Sequence, residues 1–151
     1  MDQMPLEKYK EKRDFGKTPE PPGEVGKASG IFVVQEHQAT HLHWDFRFEL
    51  GGVLKSWAVP KGVPEEKKTK HLAVEVEDHP LEYASFHGNI PKGEYGAGSV
   101  KIWDEGTCVI LERDADRYVL ELKGKRLNGR YALVRFKGRE QKAKNWLIMK
   151  L

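Results

Sequence analysis

His43-Trp44-Asp45-Phe46-Arg47-Phe48-Glu49-Leu50 alternates strictly between polar and apolar residues, and Leu42 extends the pattern by one position. Successive side chains of a β-strand point to opposite faces, so Leu42, Trp44, Phe46, Phe48 and Leu50 share one face and His43, Asp45, Arg47 and Glu49 the other. The first face is core. The second sets an imidazole, a carboxylate and a guanidinium side by side on a rigid element, with His37 a short turn upstream, and so offers metal ligands and an anion clamp together. A strand with one solvated face also alternates. This one differs in the kind of polar residue it carries and in being matched by a second strand. Residues 71–79 read His-Leu-Ala-Val-Glu-Val-Glu-Asp-His, which predicts His71, Glu75, Glu77 and His79 on one face and Leu72, Val74 and Val76 on the other.

Working outward, short apolar or alternating runs recur with turn residues between them. They predict strands near 31–36, 42–50, 53–59, 71–78, 82–86, 98–103, 107–112, 117–123, 130–137 and 145–150. Gly51-Gly52 and Asn128-Gly129 are two-residue hairpin signals. No long segment sustains a helical period, so the expected fold is mainly β: a closed or nearly closed antiparallel β-barrel with minor helix, its site at an open face. Residues 1–30 are polar and end in Pro19, Pro21, Pro22, Gly23, Gly26 and Gly30. They read as an extended N-terminal arm with a short helix between Pro5 and Phe15, ahead of a single barrel domain over 31–151. The arm holds few apolar residues, so folding is expected to survive its removal.

At 151 residues the chain buries a core without disulfides, and its one cysteine, Cys108, lies in an apolar run where a buried small hydrophobe is expected. No run approaches the length of a membrane span, which predicts a soluble, cytoplasmic protein with no membrane partner. A monomer is expected. The net charge of +3 is small but uneven. Residues 123–144 carry nine Lys or Arg (Lys123, Lys125, Arg126, Arg130, Arg135, Lys137, Arg139, Lys142, Lys144) against Glu140, a stripe suited to a polyphosphate backbone. The loop from Ile90 to Gly98 is glycine-rich but lacks the Gly-Lys-Ser/Thr ending of a P-loop and runs into a strand, so its glycines are expected to shape a tight turn beside the site.

His37, His43 and Asp45 form a facial set of nitrogen and oxygen ligands that leaves positions free for water and substrate. Such a set suits Mn²⁺, Zn²⁺, Co²⁺ or Fe²⁺ and does not choose among them. Arg47 reaches from two residues beyond Asp45 to a bound anion. His79 is a candidate fourth ligand, general acid or donor to a phosphoryl oxygen. Metal, Arg and His together are the means of phosphoryl transfer. Two other readings fit some of these residues. One is a non-haem iron oxygenase with His43, Asp45 and His79 as its two-His-one-carboxylate triad, and the other is a non-catalytic nucleic-acid-binding module resting on the basic stripe.

Several motifs in order carry a family resemblance: Lys12-Arg-Asp-Phe-Gly-Lys-Thr-Pro-Glu20-Pro, Phe32-Val-Val-Gln-Glu-His37, His43-Trp-Asp45-Phe-Arg47-Phe-Glu-Leu, Leu54-Lys-Ser-Trp-Ala-Val-Pro-Lys-Gly62, Val76-Glu-Asp-His79-Pro-Leu-Glu-Tyr83 and Gly93-Glu-Tyr-Gly-Ala-Gly98. Together they resemble the 3′-phosphoesterase domain of bacterial DNA ligase D and its stand-alone archaeal relatives, over residues 8–104. The resemblance implies a β-barrel enzyme, typically manganese-dependent with Zn²⁺ or Co²⁺ as alternatives. Such an enzyme trims a 3′-terminal ribonucleoside from a primer-template and removes the resulting 3′-phosphate to leave a 3′-hydroxyl, as in DNA repair by non-homologous end joining. It implies His37, His43 and Asp45 as metal ligands, Arg47, His79 and Gln35 as phosphate-holding residues, and Tyr83 as a site tyrosine for monoester removal. Arg13, Asp14 and Glu20 match positions tied to ribonucleoside trimming. His71 stands where relatives often place an arginine near the phosphate, which implies a weaker or pH-dependent contact. Ligase or polymerase modules are lacking before Leu151, so such partners are expected in trans.

Overall fold

The computed structural model describes residues 6–23, 30–136 and 144–151. A short helix α1 (Glu7–Glu11) precedes the strands β1 (Ile31–Gln38), β2 (Leu42–Leu50), β3 (Val53–Val59), β4 (Lys70–Pro80), β5 (Gly88–Ile90), β6 (Gly98–Asp114), β7 (Arg117–Gly124), β8 (Asn128–Arg135) and β9 (Asn145–Lys150). The strands pair in the order β1-β2-β3-β4-β9-β8-β7-β6, and β6 pairs back onto β1. That last pairing closes an antiparallel barrel, as the strand pattern predicts. β5 adds to the other edge of the first residues of β6. Gly51 and Gly52 both take positive φ, 65° and 85°, which is the backbone that a tight β2–β3 hairpin requires.

The barrel interior takes Phe46 and Phe48 from the apolar face read from β2, with Trp44 and Leu50 partly buried against it, whereas Leu42 at the start of the strand is exposed. Phe46 and Phe48 meet Phe32, Trp57, Leu120, Leu133, Trp146 and Ile148, all buried, and Phe48 stacks on Trp57 with centroids 5.4 Å apart. Burying one such side chain contributes roughly 1.5–3 kcal/mol, so this cluster is the main source of stability. Cys108 belongs to it, and burial followed by the charge of Glu49 pushes its thiol up to about 12. It is a packed, inert thiol.

A second cluster lies on the outside of the barrel wall. Tyr9 and Tyr83 pack on Leu54, with Phe15, Ile31 and Phe86 around them. The described part of the N-terminal segment is therefore built into the fold. Leu6, which caps α1, and Tyr9 within it are buried, and the Tyr9 hydroxyl donates to the carbonyl of Pro21. Low apolar content understated this segment, because one fully buried tyrosine anchors it. Removing it would uncover Leu54 and Tyr83, so a loss of stability is expected where the sequence alone suggested none.

Three further expectations change. Residues 82–86 are not a strand: Leu81–Ser85 form a 3-10 helix after Pro80 that turns Tyr83 onto the wall. The predicted strands 98–103 and 107–112 are one continuous β6, because Gly106 is a point of close approach and not a turn. A Cβ there would lie 1.9 Å from the carbonyl oxygen of Lys123. Asn128-Gly129 begins β8, and the β7–β8 turn falls at 125–127.

That turn is organised by Asp104, buried in β6, whose carboxylate accepts from the backbone N–H groups of Glu105, Lys125, Arg126 and Leu127 at 2.8–3.1 Å. Asp104→Ala strands these donors without a partner, at a cost of about 3 kcal/mol given the penalty for buried unsatisfied groups. Urea unfolding is the check, and a loss under about 0.5 kcal/mol would mean that water replaces the carboxylate without penalty.

Candidate active site

The polar face of β2 looks outward from the barrel, not into its open end, and becomes the floor of a cleft of about 290 Å³. Register explains the floor. Gln35 pairs with Asp45, His37 with His43, and Arg47 with Ser56, so β1, β2 and β3 present their outward side chains together. The walls come from the chain after α1 (Arg13, Glu20), from the 3-10 helix (Tyr83) and from the 91–98 loop (Tyr95, Gly96).

β4 reaches this floor through a bulge. Leu54 pairs with His79 and Ser56 with Val76, so Lys55 alone spans Glu77 and Asp78. The extra residue inverts the alternation and puts Val76 and His79 on one face. His79 thereby enters the cleft. His71, five residues before Val76, is turned the other way: it pairs with core residue Ile148, and its Nδ1 donates to the carbonyl of Gly62 at 2.6 Å. The predicted shared face of His71, Glu75, Glu77 and His79 is broken, and His71 does not line the cleft. Leu72, placed by the period-two reading with the apolar side, is exposed.

His37, His43 and Asp45 come together, with one ligand atom from each lying within 4.8 Å of the others. Both imidazoles have their N–H committed elsewhere. His37 Nε2 donates to the carbonyl of Gly96 at 2.7 Å, and His43 Nδ1 donates to that of His41 at 3.1 Å. The remaining nitrogens, Nδ1 of His37 and Nε2 of His43, face Asp45 oxygens at 3.5 and 3.3 Å. A neutral imidazole lone pair repels a carboxylate at that range, so the set calls for a cation between its members. Backbone carbonyls that fix the far N–H are the usual support of metal-bound histidines. The donor set therefore fits a divalent ion held by His37, His43 and Asp45. His79 is engaged elsewhere, and the third member of the group is His37, so the His43–Asp45–His79 triad of the oxygenase reading does not assemble. Gly96 takes φ of 75°, a backbone that favours glycine and that carries its carbonyl to His37.

A proton answers part of that demand. Burial opposes charge on His43, but the hydrogen bond and charge of Asp45 outweigh it and raise its pKa above 6.5. Burial would raise Asp45, yet Arg47 first, then His37 and His43, hold it well below the usual carboxylate range. The protonated His43–Asp45 pair thus stabilises the metal-free fold below the unfolded pKa of His43, and that contribution is lost as pH rises through the raised folded value. A metal needs His43 neutral, so proton and metal compete. Metal affinity is expected to fall as pH is lowered through that raised value, and the rise in Tm on adding Mn²⁺ should shrink in step. Thermal melts with and without Mn²⁺ across a pH series test this, and a metal effect that grows toward acid would contradict it.

Arg47 sits beside this set, buried. Its Nε donates to Gln35 Oε1 at 2.7 Å, Nη2 lies 3.4 Å from Asp45 Oδ2, and its guanidinium packs 4.9 Å from the Tyr83 ring centroid. Its Nη1 is buried with no hydrogen-bond partner. Gln35 does not face the cleft itself. Its Nε2 donates to the carbonyls of Tyr83 and Phe86, at 2.7 and 3.0 Å, so it aims Arg47 and ties the 3-10 helix to the wall.

The N-terminal segment supplies the opposite side. Arg13 Nε pairs with Glu20 at 3.0 Å, and its Nη2 lies 3.3 Å from His79 Nε2. Glu20 also accepts from the Tyr83 hydroxyl at 2.5 Å and from Thr18 at 2.9 Å. Burial, then the charges of Arg47 and Arg13, press the pKa of His79 well below 6.5, so it is neutral. Its Nδ1–H goes to the carbonyl of Glu77 at 2.9 Å, leaving Nε2 as an acceptor. Asp14 stays outside the cleft. It is exposed, accepts from the N–H of Gly16 at 3.0 Å, and shapes the turn that delivers Glu20. Of the residues singled out from sequence, Arg13, Glu20, His37, His43, Asp45, Arg47, His79 and Tyr83 line the cleft. Glu77, read from sequence as part of the polar face of 71–79, lines it too, and Tyr95 was missed. Tyr95 lay in the glycine-rich loop, where an aromatic between glycines was the available signal.

Within the basic stripe, Lys137, Arg139 and Lys142 lie outside the described residues. Arg126 packs on Trp103 at 4.5 Å, and Arg135 pairs with Asp116 at 3.1 Å, so part of that charge is met within the fold. Among the described residues no helix is long and apolar enough to cross a membrane.

Residues 35–135 match the family model of the DNA ligase D 3′-phosphoesterase domain, a span that contains the ligand set, Arg47, His79 and Tyr83. The chain belongs to this family. It is 49% identical over 140 residues to the multifunctional non-homologous end joining DNA repair protein LigD of Mycobacterium tuberculosis, covering 88% of this chain and 18% of that protein. It is 47% identical over 157 residues to the multifunctional non-homologous end joining protein LigD of Pseudomonas aeruginosa, covering 97% and 18%. The LigD of Mycolicibacterium smegmatis is 46% identical over 160 residues, covering 97% and 20%. The chain thus spans about a fifth of the length of these relatives.

Proposed function

We propose that this protein is a divalent-metal-dependent phosphoesterase that heals 3′ ends, trimming a 3′-terminal ribonucleoside and removing the 3′-phosphate to leave a 3′-hydroxyl in DNA repair by end joining. Manganese is the proposed ion, with Zn²⁺ or Co²⁺ able to take the same ligands. The observation that carries the reading is Arg47 Nη1, a buried donor without a partner beside a His-His-Asp set. A buried polar atom left open calls for an explanation, and a phosphoryl oxygen supplies one at a charge-assisted hydrogen bond. When bound, a divalent ion supplies Lewis-acid charge against a phosphoryl oxygen. The protein does the rest. Arg47, locked by Gln35, meets charge on a second oxygen. His79, neutral and with Nε2 at the cleft beside Arg13 Nη2, would take a proton from the attacking water and pass it to the leaving oxygen. Tyr83 and Glu20 hold Arg13 and close the far wall around the terminal nucleoside.

The partners that fit are primer-template 3′ ends, with ligase or polymerase modules that use the 3′-hydroxyl. The test is incubation with end-labelled primer-templates carrying a 3′-phosphate or a single 3′-ribonucleotide, with each divalent metal in turn. Release of phosphate and of the terminal nucleoside with Mn²⁺ is expected. Intact substrates under every metal would overturn the reading.

A further inference from the structure

We propose that Tyr95 is the platform on which the terminal nucleobase of the substrate stacks, an inference that rests on the 3′-end reading above and assigns a specificity-determining residue to the same site. Tyr95 lines the cleft yet is 49% exposed, the largest exposure of any aromatic at this site. An exposed tyrosine on a glycine-rich loop would ordinarily be a free rotor. This one is tethered. Lys12 Nζ, paired with Glu77 at 2.8 Å, lies 3.5 Å from its hydroxyl and over its ring, so the ring is held at the cleft rim by a cation contact that a phenylalanine would keep. Lys12 Nζ and the Arg13 guanidinium lie 4.9 and 5.4 Å from the ring centroid, and the residue is exposed all the same.

Position decides the ligand. The residue after Tyr95 is Gly96, whose carbonyl holds His37 Nε2 at 2.7 Å, so the ring stands next to the ligand set but outside it. A phosphoryl group seated at Arg47 Nη1 leaves its attached nucleoside to extend toward the rim. There the flat apolar surface is Tyr95, flanked by two cations that suit the phosphate backbone. Base stacking on an aromatic is tolerant of sequence, which suits an enzyme that meets ends of any sequence.

The experiment compares wild type, Tyr95→Phe and Tyr95→Leu in binding to primer-templates whose 3′-terminal nucleotide carries a base or is abasic. Fluorescence anisotropy without divalent metal gives equilibrium affinities free of turnover. Wild type and Tyr95→Phe are expected to bind the base-bearing end about tenfold more tightly, the lower range of a lost stack, and Tyr95→Leu to bind both alike. No preference in wild type, or a preference that persists in Tyr95→Leu, overturns the proposal. Calorimetric Mn²⁺ titration separates stacking from loop support. Unchanged metal affinity in Tyr95→Leu is expected, and a fall would show that the ring serves the Gly96 carbonyl and would also overturn it. Failure of the 3′-end reading looks different: a base preference in binding, with no phosphate or nucleoside released under any metal.

Discussion

Asp45→Asn is expected to yield a folded protein that no longer binds a divalent ion usefully and whose 3′-end hydrolysis falls to background. Asp45 is the only carboxylate in the ligand set, and both open imidazole nitrogens face it at 3.3–3.5 Å. Even outer partners of metal ligands are worth about 10- to 100-fold in affinity, so losing the ligand itself should exceed that. The same change removes the partner that raises the pKa of His43, so that group should titrate lower in the variant. Mn²⁺ calorimetry and a histidine titration by NMR measure the two consequences independently. Near-normal turnover at saturating Mn²⁺ would refute the ligand assignment.

Arg47→Ala carries the second large effect, with the opposite metal signature. Turnover should fall about 10²- to 10³-fold, the usual loss on removing one donor aimed at developing charge, while stoichiometric metal binding persists. Arg47→Lys should rescue little. The wild-type guanidinium donates through Nε to Gln35 while Nη1 stays open to the cleft, and a single ammonium cannot hold both places. Loss of metal along with activity in Arg47→Ala would make its role support of Asp45 and not contact with phosphate.

These expectations rest on residues adjacent in sequence, and for that reason they were visible there. The alternation from Leu42 to Leu50 assigned Phe46 and Phe48 to the core and Asp45 and Arg47 to the site, because a strand's two faces follow from its own backbone. The turn residues and the absence of a helical period gave the barrel, and β2, β3 and β9 have the predicted bounds. Local pattern failed where a pairing partner overrules it. One bulged position in β4 sends His79 into the cleft and His71 away from it, and the bulge exists only in the pairing with β3. No period-two count within residues 71–79 contains that information.

By itself, then, the sequence determined the two faces of β2, the His37, His43, Asp45 and Arg47 constellation, and the family. Tertiary structure decided which of the remaining candidates meet. Arg13 reaches His79 across 66 residues and Glu20 reaches Tyr83 across 63, so the N-terminal segment becomes a wall of the cleft through contacts no local reading contains. The physical reason is range. Strand alternation is fixed by backbone geometry over neighbouring residues, whereas the bulge, the burial of Tyr9 and the open Nη1 of Arg47 depend on segments that come together only when the whole barrel has closed.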